Sequence, residues 1–201
     1  MDIKQQDTIN VIISLINIPL SVYEWIISWY ISLGISLLTL YSDYQRGSLL
    51  FCVTRCCFIM NTCYGLYKWT VGGRQSKNQL QITKMSPEAW RKVLGWAGIG
   101  WGLFYLSVIW LIPAQWRTKI KNPALHTLIG TMVFTGQQLI AHKKLEAQLL
   151  WFVYNIIMMY NRAVIEGSIL WLKHLIYLPL CFWGYTVWLK KYKKAQHKQD
   201  D

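Results

Sequence analysis

The chain has 201 residues, 54% of them hydrophobic and 15% charged, with 12 Trp, 12 Tyr and a mean hydropathy of +0.23. This load excludes an ordinary water-soluble domain, because several long apolar stretches would leave too little polar surface to cover them. The formal net charge of +12 does not argue for nucleic acid, since Lys and Arg gather at the ends of apolar segments, where they meet anionic headgroups.

Seven membrane-spanning helices are predicted, near residues 8–22, 24–42, 48–68, 91–112, 123–142, 146–163 and 168–189. Each must be helical because lipid offers no partner for a free backbone amide. The first is short and carries Asn10, Asn17 and Pro19. The opening MDIKQQD has no basic n-region, and no small-residue cleavage site follows the apolar run, so the first span is expected to stay in the mature chain. The third holds Cys52, Cys56, Cys57 and Cys63, read as small packing residues rather than a soft-metal site. No metal or cofactor is expected. A polar loop over 70–90 follows, and Ser86-Pro87-Glu88 reads as a helix start. Residues 93–112 carry no charge, enough at about 1.5 Å per residue to cross a hydrocarbon core of about 30 Å. Gly98 and Gly102 in that span form a small-residue packing pair.

The loop after span three, the loop after span five and the tail 190–201 hold most of the Lys and Arg. The positive-inside rule therefore puts the C-terminus in the cytosol and the N-terminus outside.

Short motifs recur in the two halves. Glu24 and Trp29, then Gly47-Ser48-Leu49-Leu50, then Gly65 and Trp69 are followed in the same order by Glu146 and Trp151, Gly167-Ser168-Ile169-Leu170, and Gly184 and Trp188. The predicted fold is thus an all-α membrane protein of two parallel three-helix repeats, 8–69 and 123–189, joined by a linker helix at 91–112. The 70–90 loop and the basic tail would be cytosolic.

Arg55 and His174 stand at the same distance before Gly65 and Gly184, and Phe58 and Tyr177 lie one turn further along the same faces. Ionisable groups inside a membrane point to a cavity or a partner. These four outline a candidate pocket at the repeat interface, although Arg55 could instead snorkel to a headgroup and His174 could bond between helices. Gln137, Asn155 and Asn61 can read a polar solute, with Asn61 equally suited to holding helices together. Trp29 and Trp151 suit stacking on a planar ring, whereas Trp69 and Trp188, beside Lys68 and Lys190, read as interfacial anchors. An enzyme is not expected: the nine Asp and Glu lie mostly at termini and loop ends, and the four His form no pair at ligand spacing. No phosphate-binding loop motif is present.

The run Gly136, Gln137, Leu139, Lys143, Glu146, Trp151, Asn155 resembles the Ala-Gln-x-Leu-x-x-x-Lys-x-x-Glu-x-Trp-x-x-Trp-x-x-x-Asn signature of the nicotinamide riboside transporters, the PnuC family. The helix ends at 64–69 and 183–188 look like the Tyr-Gly-x-x-x-Trp and Gly-Tyr-x-x-Trp of that family, and the likeness covers residues 20 to 190. It implies facilitated diffusion of a nucleoside-like vitamin precursor across a bacterial inner membrane, made productive by a cytosolic kinase that phosphorylates the cargo. Gln137, Trp151 and Asn155 would inherit substrate contacts, and a homo-oligomer is compatible with this plan. The chain departs from the pattern at Gln148, where Trp is common, and at Pro123-Ala124-Leu125-His126-Thr127 in place of Asp-Ala-Leu-x-Thr. It departs again at His174, where an aromatic is common, and at Arg55, where a neutral polar group is common. Thiamine is accordingly the alternative cargo, and a membrane scaffold without cargo the alternative of a different class.

Overall fold

The computed structural model describes residues 3–45, 47, 49–72, 80–113, 120–165, 167 and 171–200. Arg46, Ser48, residues 73–79 of the 70–90 loop and the start of the predicted seventh span, including Ser168-Ile169-Leu170, lie outside the described residues.

The helices are α1 (Ile3–Val22), α2 (Ile27–Gln45), α3 (Leu49–Tyr67), α4 (Pro87–Leu111), α5 (Pro123–Ala141), α6 (Ala147–Tyr160) and α7 (Trp171–Asp200). Single π-helical turns extend α3 over Lys68–Gly72 and α6 over Asn161–Ile165. Ser86 caps α4 by accepting from the Ala89 N–H, with Pro87 in the first turn, and Asn122 with Pro123 does the same for α5 through the Leu125 N–H. α7 runs on to Asp200, well past the predicted end of the span at 189. The Lys-rich tail continues the helix because straight-chain Lys loses little freedom there.

α1 and α5 stop in the same way. After α1, the Trp25 N–H donates to Leu20 O and the Glu24 N–H to Ser21 O; after α5, the Lys144 N–H donates to Leu139 O and the Lys143 N–H to Ile140 O. These are Schellman caps, which put one residue in the left-handed region. That residue is Glu24 at φ 64° and Lys143 at φ 49°, neither of them glycine.

α1 packs on α2, α2 on α3, α3 on α5, α5 on α6, α6 on α7, and α7 returns to α1, so six helices close a ring, with α4 set outside it against α5. Burial in this bundle is inverted relative to a soluble protein. Ser36, Asn61, Thr62, Thr127, Asn155 and His174 are buried, while Met60, Trp96, Leu103, Trp110, Leu111 and Phe182 are exposed. Water would penalise that pattern, whereas hydrocarbon rewards it. Among the described residues α4 is the one helix that is both long and apolar enough to cross a bilayer on composition alone. Helices of the ring turn polar groups inward, which dilutes their hydropathy without placing those groups against lipid.

Candidate functional site

Two tryptophans close the ring at one end. Trp69, at the end of α3, donates its indole N–H to Ala141 O at the end of α5 (3.2 Å), and Trp188 of α7 donates to Val22 O at the end of α1 (2.9 Å). Between them Glu24 binds Lys191 through Oε1 at 2.6 Å and Lys143 through Oε2. Lys143 Nζ also stands 4.9 Å from the centre of the Trp69 ring, a cation–π contact. The expected anchoring of Trp69 and Trp188 at the membrane interface is therefore corrected. Trp188 is fully buried, and both indoles join the end of one half to the first helix of the other.

Glu24 and Lys143 are 119 residues apart. The same spacing relates Val22 to Ala141, Gly65 to Gly184, Trp69 to Trp188, Arg55 to His174 and Phe58 to Tyr177. It also relates Trp29 to Gln148, and the packing agrees: a Cβ on Gly65 would meet the Trp29 ring, and one on Gly184 would meet Gln148. The expected pairing of Glu24 with Glu146 and of Trp29 with Trp151 is thus shifted by under one helical turn. Glu146 has another task, since its Oε1 accepts from the Met85 N–H at 2.9 Å. That bond, with Thr83 N–H to Lys143 O (3.1 Å) and Leu145 N–H to Thr83 O (3.0 Å), ties the segment before α4 to the turn between α5 and α6.

Beneath the clamp the ring encloses a cavity of about 710 Å³, within the range of pockets that hold small molecules. It ends at Val22 and Ile140 under the clamp and extends to Gly47, Ile120, Lys121 and Ile165 at the other end. Of the nine predicted site residues, Trp29, Arg55, Phe58, Gln137, Trp151, Asn155, His174 and Tyr177 border it. Asn61 does not: it is buried in the α3–α5 contact, donating to Phe134 O at 3.0 Å and accepting from Gln138 Nε2.

The walls hold these side chains firmly. Trp29 is wedged on Gly65 and meets the Trp69 ring edge-on at 5.4 Å; Trp151 lies against Gly136 and meets Tyr154 edge-on at 5.1 Å. Asn155 donates to Trp151 O (2.8 Å), and its Oδ1 lies 2.8 Å from His174 Nδ1. Arg55 Nε pairs with Asp43 Oδ2 at 3.3 Å. Asp43, Gln148 and Tyr154 border the cavity as well and were not expected. Gln148 was legible through its spacing from Trp29. Asp43 was legible as the acid one helix away from an intramembrane Arg, a charge that needs a partner there.

The family model described as "Nicotinamide mononucleotide transporter" matches residues 6–190 of the chain. The chain belongs to the nicotinamide mononucleotide transporter family. It is therefore a helical membrane protein of a transporter family. A solved structure described as the crystal structure of the vitamin B3 transporter PnuC shares the fold, with a TM-score of 0.75 over 94% of this chain and 83% of that one at 17% sequence identity. No curated protein matches the sequence.

Proposed function

We propose that the protein carries nicotinamide riboside across the bacterial inner membrane by uncoupled facilitated diffusion, with uptake made productive by cytosolic phosphorylation of the cargo. The supporting observation is the central cavity. It is lined by two tryptophans and five amide residues, large enough for a nucleoside, and capped at one end by contacts between the two halves. Two parallel repeats, 8–69 and 123–189, rocking about the linker helix would break those contacts and expose the cavity to the other side. The basic loops and tail favour placing the sealed end in the cytosol. Thiamine is a second cargo of similar size and planarity, favoured by the two positions, Arg55 and His174, at which the wall departs from the family pattern.

A thermal-shift screen of purified protein against pyridine, thiamine and flavin ribosides tests the cargo. Nicotinamide riboside is expected to give the largest stabilisation, and a larger shift with thiamine would reassign the cargo. Gln137→Ala should abolish the shift while the protein stays folded, whereas a scaffold without cargo would show no shift to lose.

A further inference from the structure

Asn155 determines the state of the ring beside it. Its Nδ2 donates to Trp151 O at 2.8 Å and lies 3.6 Å from Cys181 Sγ, which fixes the orientation of the amide. The atom facing His174 Nδ1 is therefore Oδ1, at 2.8 Å. A carbonyl oxygen only accepts, so Nδ1 carries the proton and Nε2 of the neutral imidazole is a lone-pair acceptor. His174 is 3% exposed, its Nε2 has no partner among the described residues, and the residue borders the cavity. Tyr154 and Tyr177 meet the ring edge-on at 6.2 and 5.9 Å and hold its plane. The buried indole N–H groups of Trp29 and Trp151 also have no partner among the described residues, and both residues line the same cavity. Residues that line the cavity thus carry one unmet acceptor and two unmet donors.

An unmet buried acceptor is costly, and a site that contains one rejects ligands that cannot fill it. We propose that His174 Nε2 accepts a hydrogen bond from the solute, from an amide N–H or a ribose O–H, and that it discriminates against a solute lacking that donor. Asn155 is then the positioning residue that fixes the tautomer. The inference rests on the reading of the cavity as the solute site. It adds a selectivity for which the common aromatic at this position has no ring acceptor.

Isothermal titration of the purified full chain with nicotinamide riboside, nicotinic acid riboside and the 2′- and 3′-deoxy analogues tests it. If the amide is read, the acid should bind about tenfold more weakly; if a hydroxyl is read, one deoxy analogue should lose about tenfold. His174→Phe removes the acceptor and should bring that ratio near unity. His174→Gln, whose amide can donate or accept, should reduce it severalfold and carries the test if the Phe variant does not fold. Undiminished discrimination in a folded variant overturns the inference and leaves the cavity reading standing. A wild-type protein that binds none of these ligands overturns both.

Discussion

In the first half of the chain Trp69 donates to the carbonyl that ends α5, and in the second half Trp188 donates to the carbonyl that ends α1. The scaffold is shared, down to the left-handed residue after each helix. The side chains at matching positions are not: Glu24 faces Lys143, Trp29 matches Gln148, and Arg55 matches His174. Where the halves touch each other they are complementary in charge, and where they face the cavity they differ in chemistry. In the proposed carrier cycle, pseudo-symmetry would serve the closing and opening of the ring, while its violations would equip the site.

Seven substitutions, in four sets, probe that contrast, the set with the largest effect first. A Cβ on Gly65 would lie 2.0 Å from the Trp29 ring, whereas on Gly184 it would lie 2.9 Å from the Gln148 amide tip and a Val22 methyl. Gly65→Ala should therefore cost about 3 kcal/mol or more in a thermal unfolding assay, and Gly184→Ala about 1 kcal/mol. Equal losses would mean that Trp29 and Gln148 are held alike. Glu24→Gln leaves Lys143 and Lys191 without their carboxylate and should cost about 2 kcal/mol; Lys143→Met should cost less, because Glu24 keeps Lys191. A double-mutant cycle between the two sites reads their coupling directly. Trp188→Phe should lose about 1 kcal/mol and Trp69→Phe somewhat less, because Trp188 is fully buried and Trp69 only partly. Asn61→Ala should lower the melting temperature by a few degrees with unchanged riboside affinity, since Asn61 joins α3 to α5 away from the cavity. A fall in affinity would return Asn61 to the site.

Much of the fold is legible because α4 announces itself in its apolar run and Ser86-Pro87 marks its start. Counting back from Gly65 and Gly184 pairs Arg55 with His174 and Phe58 with Tyr177, and all four border the cavity. The clamp was not legible for a physical reason. Searching for repeats rewards identical letters, so Glu24 matches Glu146, but two halves that grip each other need opposite charges, and the true counterpart of Glu24 is Lys143. Trp69 and Trp188 misled in the same manner, since a Trp beside Lys at a helix end suits a headgroup as well as a carbonyl. Asn61 differs from Asn155 only in which neighbour its helix presents, and that is set by packing.

Counterflow in proteoliposomes tests the central claim most directly. Vesicles loaded with unlabelled nicotinamide riboside and diluted into a trace of labelled riboside, without any ion gradient, should accumulate label transiently, and Gln137→Ala vesicles should not. Label that enters only when a proton or sodium gradient is imposed would contradict uncoupled carriage. The absence of entry under either condition would contradict transport of this cargo.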